Sequence, residues 1–176
     1  MCSIASRPVF RRFAGTVVAG AALAATSGCT VPVDAVAGIS VTGDGHLLGV
    51  MAVCGHRIDG ATLYVDGGDV NKTATVASWT ADRSLGPGLT TWTLDSPAAG
   101  WTATSSPAHL SAQATYVFYG WTEDHSWSSR EVSFTLADRD RLTPGRVRYD
   151  SVQDNGDDQE ITVSIAEFTS RACRNP

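Results

Sequence analysis

From residue 38 onward the chain alternates short apolar and polar runs with turns rich in glycine and aspartate, and this rhythm restricts the fold more than any other feature. "GISVTG" (38–43) sets Ile39 and Val41 on one side, and "ATLYVD" (61–66) sets Leu63 and Val65 against Thr62 and Tyr64. A period of two sends alternate side chains to opposite faces of a strand. "HLLGVMAVC" (46–54) is apolar almost throughout, as a strand buried on both faces would be. "TATVASWT" (73–80), "LTTWTL" (89–94), "ATYVFYGWT" (114–122), "REVSFTLAD" (130–138), "GRVRYD" (145–150) and "EITVSIAEF" (160–168) continue the series, with "GWTATSS" a shorter run. No segment here keeps a 3.6-residue apolar period long enough for a core helix. Short strands separated by Gly, Pro and Asp turns predict an all-β domain of roughly 7–9 strands, a sandwich with a small β-barrel as the alternative.

The first 28 residues break the pattern. "MCSIASRPVFRRF" carries Arg7, Arg11 and Arg12 and no acid, and "AGTVVAGAALAA" (14–25) is apolar and leads into the small residues "TSG". A basic start, a short apolar stretch and a small-residue end make an export signal. The apolar stretch falls short of the ~20 residues a spanning helix needs. The motif Ser27-Gly28-Cys29 resembles the lipobox of bacterial lipoproteins, with Thr26 standing where that family has Leu. The resemblance implies that the Cys29 sulfur receives a diacylglyceryl group, that the signal is cut just before it, and that the protein is held on the extracytoplasmic face of the cell membrane. Two acyl chains anchor a protein stably where one holds it only marginally. "AVA" (35–37) is a rival cleavage site, and a cut after Ala37 would release a soluble secreted protein. Arg11 and Arg12 leave open whether export is by the general or the twin-arginine route. The expected division is a signal peptide over 1–28, a lipid-anchored tether over 29–37 and a β-sandwich over 38–176.

The cysteines follow from this division. Cys2 leaves with the signal, and Cys29 is either acylated or lost under the rival cut. Both routes leave Cys54 and Cys173, which are expected to form a disulfide in an oxidising compartment, with two free thiols as the alternative. Neither has a nearby second ligand at zinc spacing. The signal segment removes three arginines and no acid, so the remainder is more acidic than the whole chain at −5. Such a domain is not a nucleic-acid binder, because that affinity comes from neutralising phosphates.

Leu110 stands six residues before Tyr116, at the start of a strand-like run. That spacing resembles the tyrosine corner of fibronectin type III and related immunoglobulin-like domains, although Ser111-Ala112-Gln113-Ala114-Thr115 lacks the family's Pro-Gly-Thr. The resemblance spans residues 38 to 138 and implies that the Tyr116 hydroxyl bonds back to the loop backbone. The segments from 145 onward are then additions to that fold.

Read as a hairpin, residues 115–136 put Tyr116, Phe118, Val132, Phe134 and Leu136 on an inner face. Val117, Tyr119, Trp121, Ser133 and Thr135 fall on the outer one. With Tyr64 on a neighbouring strand and Trp127 at the hairpin tip, the outer face holds a candidate binding surface of Tyr64, Tyr119, Trp121 and Trp127. Aromatic faces suit sugars or peptide side chains, since they offer apolar area at low entropy cost. The alternative is that these rings lie packed beneath the 145–168 segments, or brace neighbouring strands as cross-strand pairs.

The tip also carries Glu123, Asp124 and His125, where a carboxylate beside an imidazole would suit acid–base work. No catalytic elbow, zinc motif or phosphate loop accompanies them. His46, His56, His109 and His125 lie in separate turns, and no metal or cofactor is expected. The acidic loops "DGGDVN" (66–71) and "DNGDDQE" (154–160) offer oxygen ligands but lack EF-hand spacing. The expected function is a lipoprotein with a non-catalytic binding or scaffolding role, its partners the membrane through its anchor and a cell-wall polymer or envelope protein. Two alternatives remain: an envelope hydrolase using residues 123–125, and a soluble secreted structural protein.

Overall fold

The computed structural model describes residues 30–68, 73–96, 99–105, 107, 109–152, 156–174 and 176. The expected signal peptide and Cys29 lie outside these residues, as do parts of both acidic loops. Strands dominate: β1 (Val33–Val41), β2 (Leu47–Val53), β3 (Ile58–Val65), β4 (Ala74–Leu85), β5 (Gly88–Thr93), β6 (Trp101–Ser105), β7 (Tyr116–Trp121), β8 (Ser128–Arg130), β9 (Val132–Phe134), β10 (Arg146–Val152) and β11 (Asp158–Ser164). Two short helices, α1 (Leu136–Arg141) and α2 (Ile165–Arg171), complete the described elements. The all-β expectation is met by a curled sheet of mixed direction.

β1 is the seam of this sheet. Along one edge it pairs antiparallel with β2 from Ala35 to Val41. Along the other, its first half runs parallel to β8, with Val36 opposite Arg130, and its second half runs antiparallel to β10, with Gly38 opposite Tyr149. From this seam β2 leads to β5, β10 leads to β11, and β8 leads through β7, β3 and β4 to β6. The arms curl until their inner faces meet. Trp92 of β5 lies 5.7 Å from Phe118 of β7, and Trp79 of β4 lies 6.3 Å from the same ring. Met51, Ile58, Leu63, Phe134 and Ile39 fill the space around them.

A second, smaller cluster occupies the other face of β1 and β2. Val36, Val50 and Ala52 are covered there by Val147 and Tyr149 of β10, Val163 of β11 and Phe168 of α2. Tyr149 meets Phe168 edge to face at 4.9 Å. β1 is therefore buried on both sides. A Cβ on Gly38 would stand 2.6 Å from Val147, so only glycine lets β10 approach here.

This burial places residues of the expected tether in the sheet. Ala35, Val36 and Ala37 belong to a buried, doubly paired strand that starts at Val33. Two further corrections concern the C-terminal half. The strand expected through Asp138 ends at Phe134, and Leu136 opens α1 instead of continuing the inner face. Thr135 and Asp138 cap that helix reciprocally, side chain to backbone in both directions. The strand expected through Phe168 ends at Ser164, which caps α2 by accepting from the Glu167 N–H.

Cys54 and Cys173 form a disulfide with their Cα atoms 5.3 Å apart, joining the end of β2 to the residue beyond α2 and holding that helix over the second cluster. At the opposite side of the main core, the Tyr116 hydroxyl accepts from the backbone N–H of Ser111 at 2.5 Å, and Leu110 packs against the core. The loop-to-strand tie expected from the Leu110–Tyr116 spacing is thus present.

Candidate functional site

The outer face of β3 and β7 is built by alternation. Leu63, Tyr116 and Phe118 turn inward and are buried, so Thr62, Tyr64, Tyr119 and Trp121 turn outward and stay half-exposed. The antiparallel register sets Thr62 opposite Tyr119 and Gly60 opposite Trp121. Tyr64 and Tyr119 meet edge to face, 5.9 Å apart at 76°.

Each ring is fixed by a neighbour. Trp121 lies across Gly60, where an added Cβ would stand 2.4 Å from the indole, and its Nε1–H donates to Thr62 Oγ1 at 2.9 Å. The Tyr64 hydroxyl donates to Glu131 at 3.1 Å. Burial, and then the Glu131 charge, raise the Tyr64 pKa far above the ordinary phenol value, so the hydroxyl stays a neutral donor. Trp127 stacks on His56 with centroids 3.6 Å apart and planes 18° from parallel.

His56 is itself held. Asp34 Oδ2 accepts from the His56 ring at 2.8 Å, from the Gly55 N–H at 2.9 Å and from the His56 N–H. Burial alone would raise the Asp34 pKa, but the hydrogen bonds from His56 and Gly55 outweigh it, and the carboxyl titrates below its ordinary value.

The turn that carries Trp127 is anchored from beneath. Buried Asp59 accepts from Ser84 Oγ at 2.6 Å, from the Glu123 N–H at 3.0 Å and from Arg57 Nε at 3.3 Å. Buried Thr122 exchanges hydrogen bonds with the Trp127 backbone, and His125 takes a left-handed φ of 55° to close the turn. The tip is therefore tied both to Asp59 of β3 and to its own backbone.

Two hollows result. One, of about 540 Å³, is lined by Val31, Tyr119, Trp121, Glu123, His125, Trp127 and Ser128. The other, of about 420 Å³, is lined by Thr62, Tyr64, Thr73, Thr75, Tyr119 and Glu131. Tyr119 is the wall they share. The β10–β11 hairpin pairs with β1, the four rings are half-exposed, and Tyr64 and Tyr119 brace each other across neighbouring strands.

The tip carboxylates divide. Glu123 and His125 border the larger hollow. Asp124 instead accepts from Ser126 Oγ at 2.6 Å and pairs with Arg57 at 2.8 Å. The Ser126 hydroxyl and N–H, with Arg57 beyond them, hold its pKa well below the carboxylate range, which makes it a poor general base beside His125. His46 pairs with Asp95 and His56 with Asp34, on separate loops, and among the described residues no group of three His, Cys, Asp or Glu side chains could hold a metal ion.

Asp34, His56, Arg57 and Asp59 were absent from the sequence expectation for this site. Asp59 alone left a signal: an aspartate wedged between Ile58 and Gly60 at the start of a strand has to be satisfied by something specific. No protein family, curated protein or solved structure matches the chain. The functional reading therefore rests on this geometry.

Proposed function

We propose that the chain is an exported lipoprotein, anchored through Cys29, whose mature part is one immunoglobulin- or fibronectin-III-like β-sandwich acting as a non-catalytic binding module of the cell envelope. The observation that carries the binding role is the open row of Tyr64, Tyr119, Trp121 and Trp127, each ring held in place before any ligand arrives. Pre-set aromatic surface binds without the entropic cost of ordering long side chains.

Three features support the finer fold. The arms of the sheet face each other across one core, β1 changes partner from β8 to β10 along a single edge, and Tyr116 ties its own loop. Support for the cut before Cys29 is physical. A cut after Ala37 would strip away the half of β1 that bridges β2 and β8, removing the buried side chains of Ala35, Val36 and Ala37.

Cells expressing the full chain and fed labelled palmitate test the anchor. Wild type should take up label and Cys29→Ser should not; equal labelling of the two would remove the anchor from the reading. For the binding role, the purified protein is sedimented with isolated envelope material. Tyr119→Ala combined with Trp121→Ala should lower the bound fraction while the far-UV spectrum stays unchanged. Retention equal to wild type would refute a role for this face.

A further inference from the structure

The two hollows share a chemistry beyond their rings. Each has aromatic walls and one carboxylate in its lining, Glu123 for the larger and Glu131 for the smaller, and among the described residues no lysine or arginine lines either. Glu123 is tied to the fold through its backbone N–H on Asp59, and its carboxylate makes no hydrogen bond or ion pair among the described residues.

Two of the four ring polar atoms on this face are already used within the fold. The Trp121 N–H is used by Thr62 and the Tyr64 O–H by Glu131. In the larger hollow most of the wall is π face, with Glu123 the charged acceptor beside the His125 and Ser128 side chains. A sugar needs directed donors and acceptors for its hydroxyls, whereas a ring face carries the negative part of its quadrupole and attracts a cation without them. Tyr119, Trp121 and Trp127 line the larger hollow together, so a roughly spherical group there has more than one aromatic wall to meet.

Building on the binding-module reading, we infer that the larger hollow is an aromatic cage for a methylated ammonium group, with Tyr119, Trp121 and Trp127 as its walls and Glu123 as the counter-charge. A quaternary ammonium suits it better than a primary amine. It carries apolar methyl groups that bury well against rings, and it has no N–H donors to be left unsatisfied among them. The acidic net charge of the chain favours approach of such a ligand.

The test uses tryptophan fluorescence and calorimetry on the wild-type protein with three probes: choline, its uncharged isostere 3,3-dimethylbutan-1-ol, and methyl glucoside. Choline should bind saturably, and the isostere at least about tenfold more weakly, because it fills the same space without the cation–π and carboxylate terms. Added salt should weaken choline alone. Glu123→Gln should weaken choline several-fold with an unchanged thermal midpoint.

Equal binding of choline and its isostere would reduce the site to an apolar hollow and overturn the inference. Saturable binding of the glucoside with none of choline would overturn the ligand class and leave the binding module standing. Silence with all three probes would also overturn the cage, while envelope sedimentation decides the binding role independently.

Discussion

Trp127 lies flat on the imidazole of His56, and the carboxylate of Asp34 holds that imidazole at its Nδ1 edge, at 2.8 Å. One wall of the larger hollow is therefore set by a residue of the first strand. Because the folded-state pKa of Asp34 is depressed, its contribution to stability is complete above the unfolded value of 3.8 and is lost as the pH falls through the folded one. Asp34→Asn should lower the urea midpoint at neutral pH and flatten its fall in acid below about pH 4. A variant curve parallel to wild type through that range would show that Asp34 does not carry the effect.

Removal of the Tyr116 hydroxyl deprives the Ser111 N–H of its acceptor in a part-buried loop. Tyr116→Phe should cost about 1–3 kcal/mol, the range for an unsatisfied buried donor, with no change in the sheet. Chemical denaturation measures this, and a loss below a few tenths of a kcal/mol would mean that water replaces the bond.

The Cys54–Cys173 bridge closes a loop of 119 positions. In the chain-entropy picture its removal should cost about 4–5 kcal/mol. Cys54→Ser with Cys173→Ser should shift the denaturation midpoint strongly, and reducing agent should shift wild type by as much and the double variant not at all. The loss should appear first as faster amide exchange in α2, which the bridge holds over Val36, Val50 and Tyr149.

Gly60 leaves room for an indole. An alanine there would place its Cβ 2.4 Å from the Trp121 ring and 2.6 Å from the backbone oxygen of Trp79, and that backbone cannot step aside as a side chain can. Gly60→Ala should destabilise by about 1–3 kcal/mol and red-shift the tryptophan emission as Trp121 leaves Thr62. An unshifted spectrum would mean that the sheet yields in place of the ring.

How much of this was legible in the sequence varies with the range of the interaction. The alternation of Leu63 with Tyr64, and of Phe118 with Tyr119, is enough to sort core from outer face, because a period of two is a local property. The Cys54–Cys173 pairing followed from elimination. The start of β1 was hidden because residues buried on both faces do not alternate, and "AVA" also fits a cleavage motif. α1 and α2, six and seven residues long, are too short to show a helical period. Their only traces are the spacings of Thr135 with Asp138 and Ser164 with Glu167. The supports of the aromatic face were the least visible. Asp34 reaches His56 across 22 positions and Asp59 reaches Glu123 across 64, and no local pattern announces contacts of that range.

The pairing of β1 has a mechanical consequence. This strand comes first among the described elements and is bonded along both edges, parallel to β8 and antiparallel to β2 and β10. Traction applied to the N-terminus, as an anchor at Cys29 would apply it, runs along the strand axis and across its ladder bonds. Bonds loaded in that direction share the force and rupture as a set, whereas bonds at a peeled edge give way one after another. A domain gripping its ligand on β7 and held to a membrane through β1 would thus carry tension through a shear joint, and the strand that joins the two arms of the sheet would be its clamp.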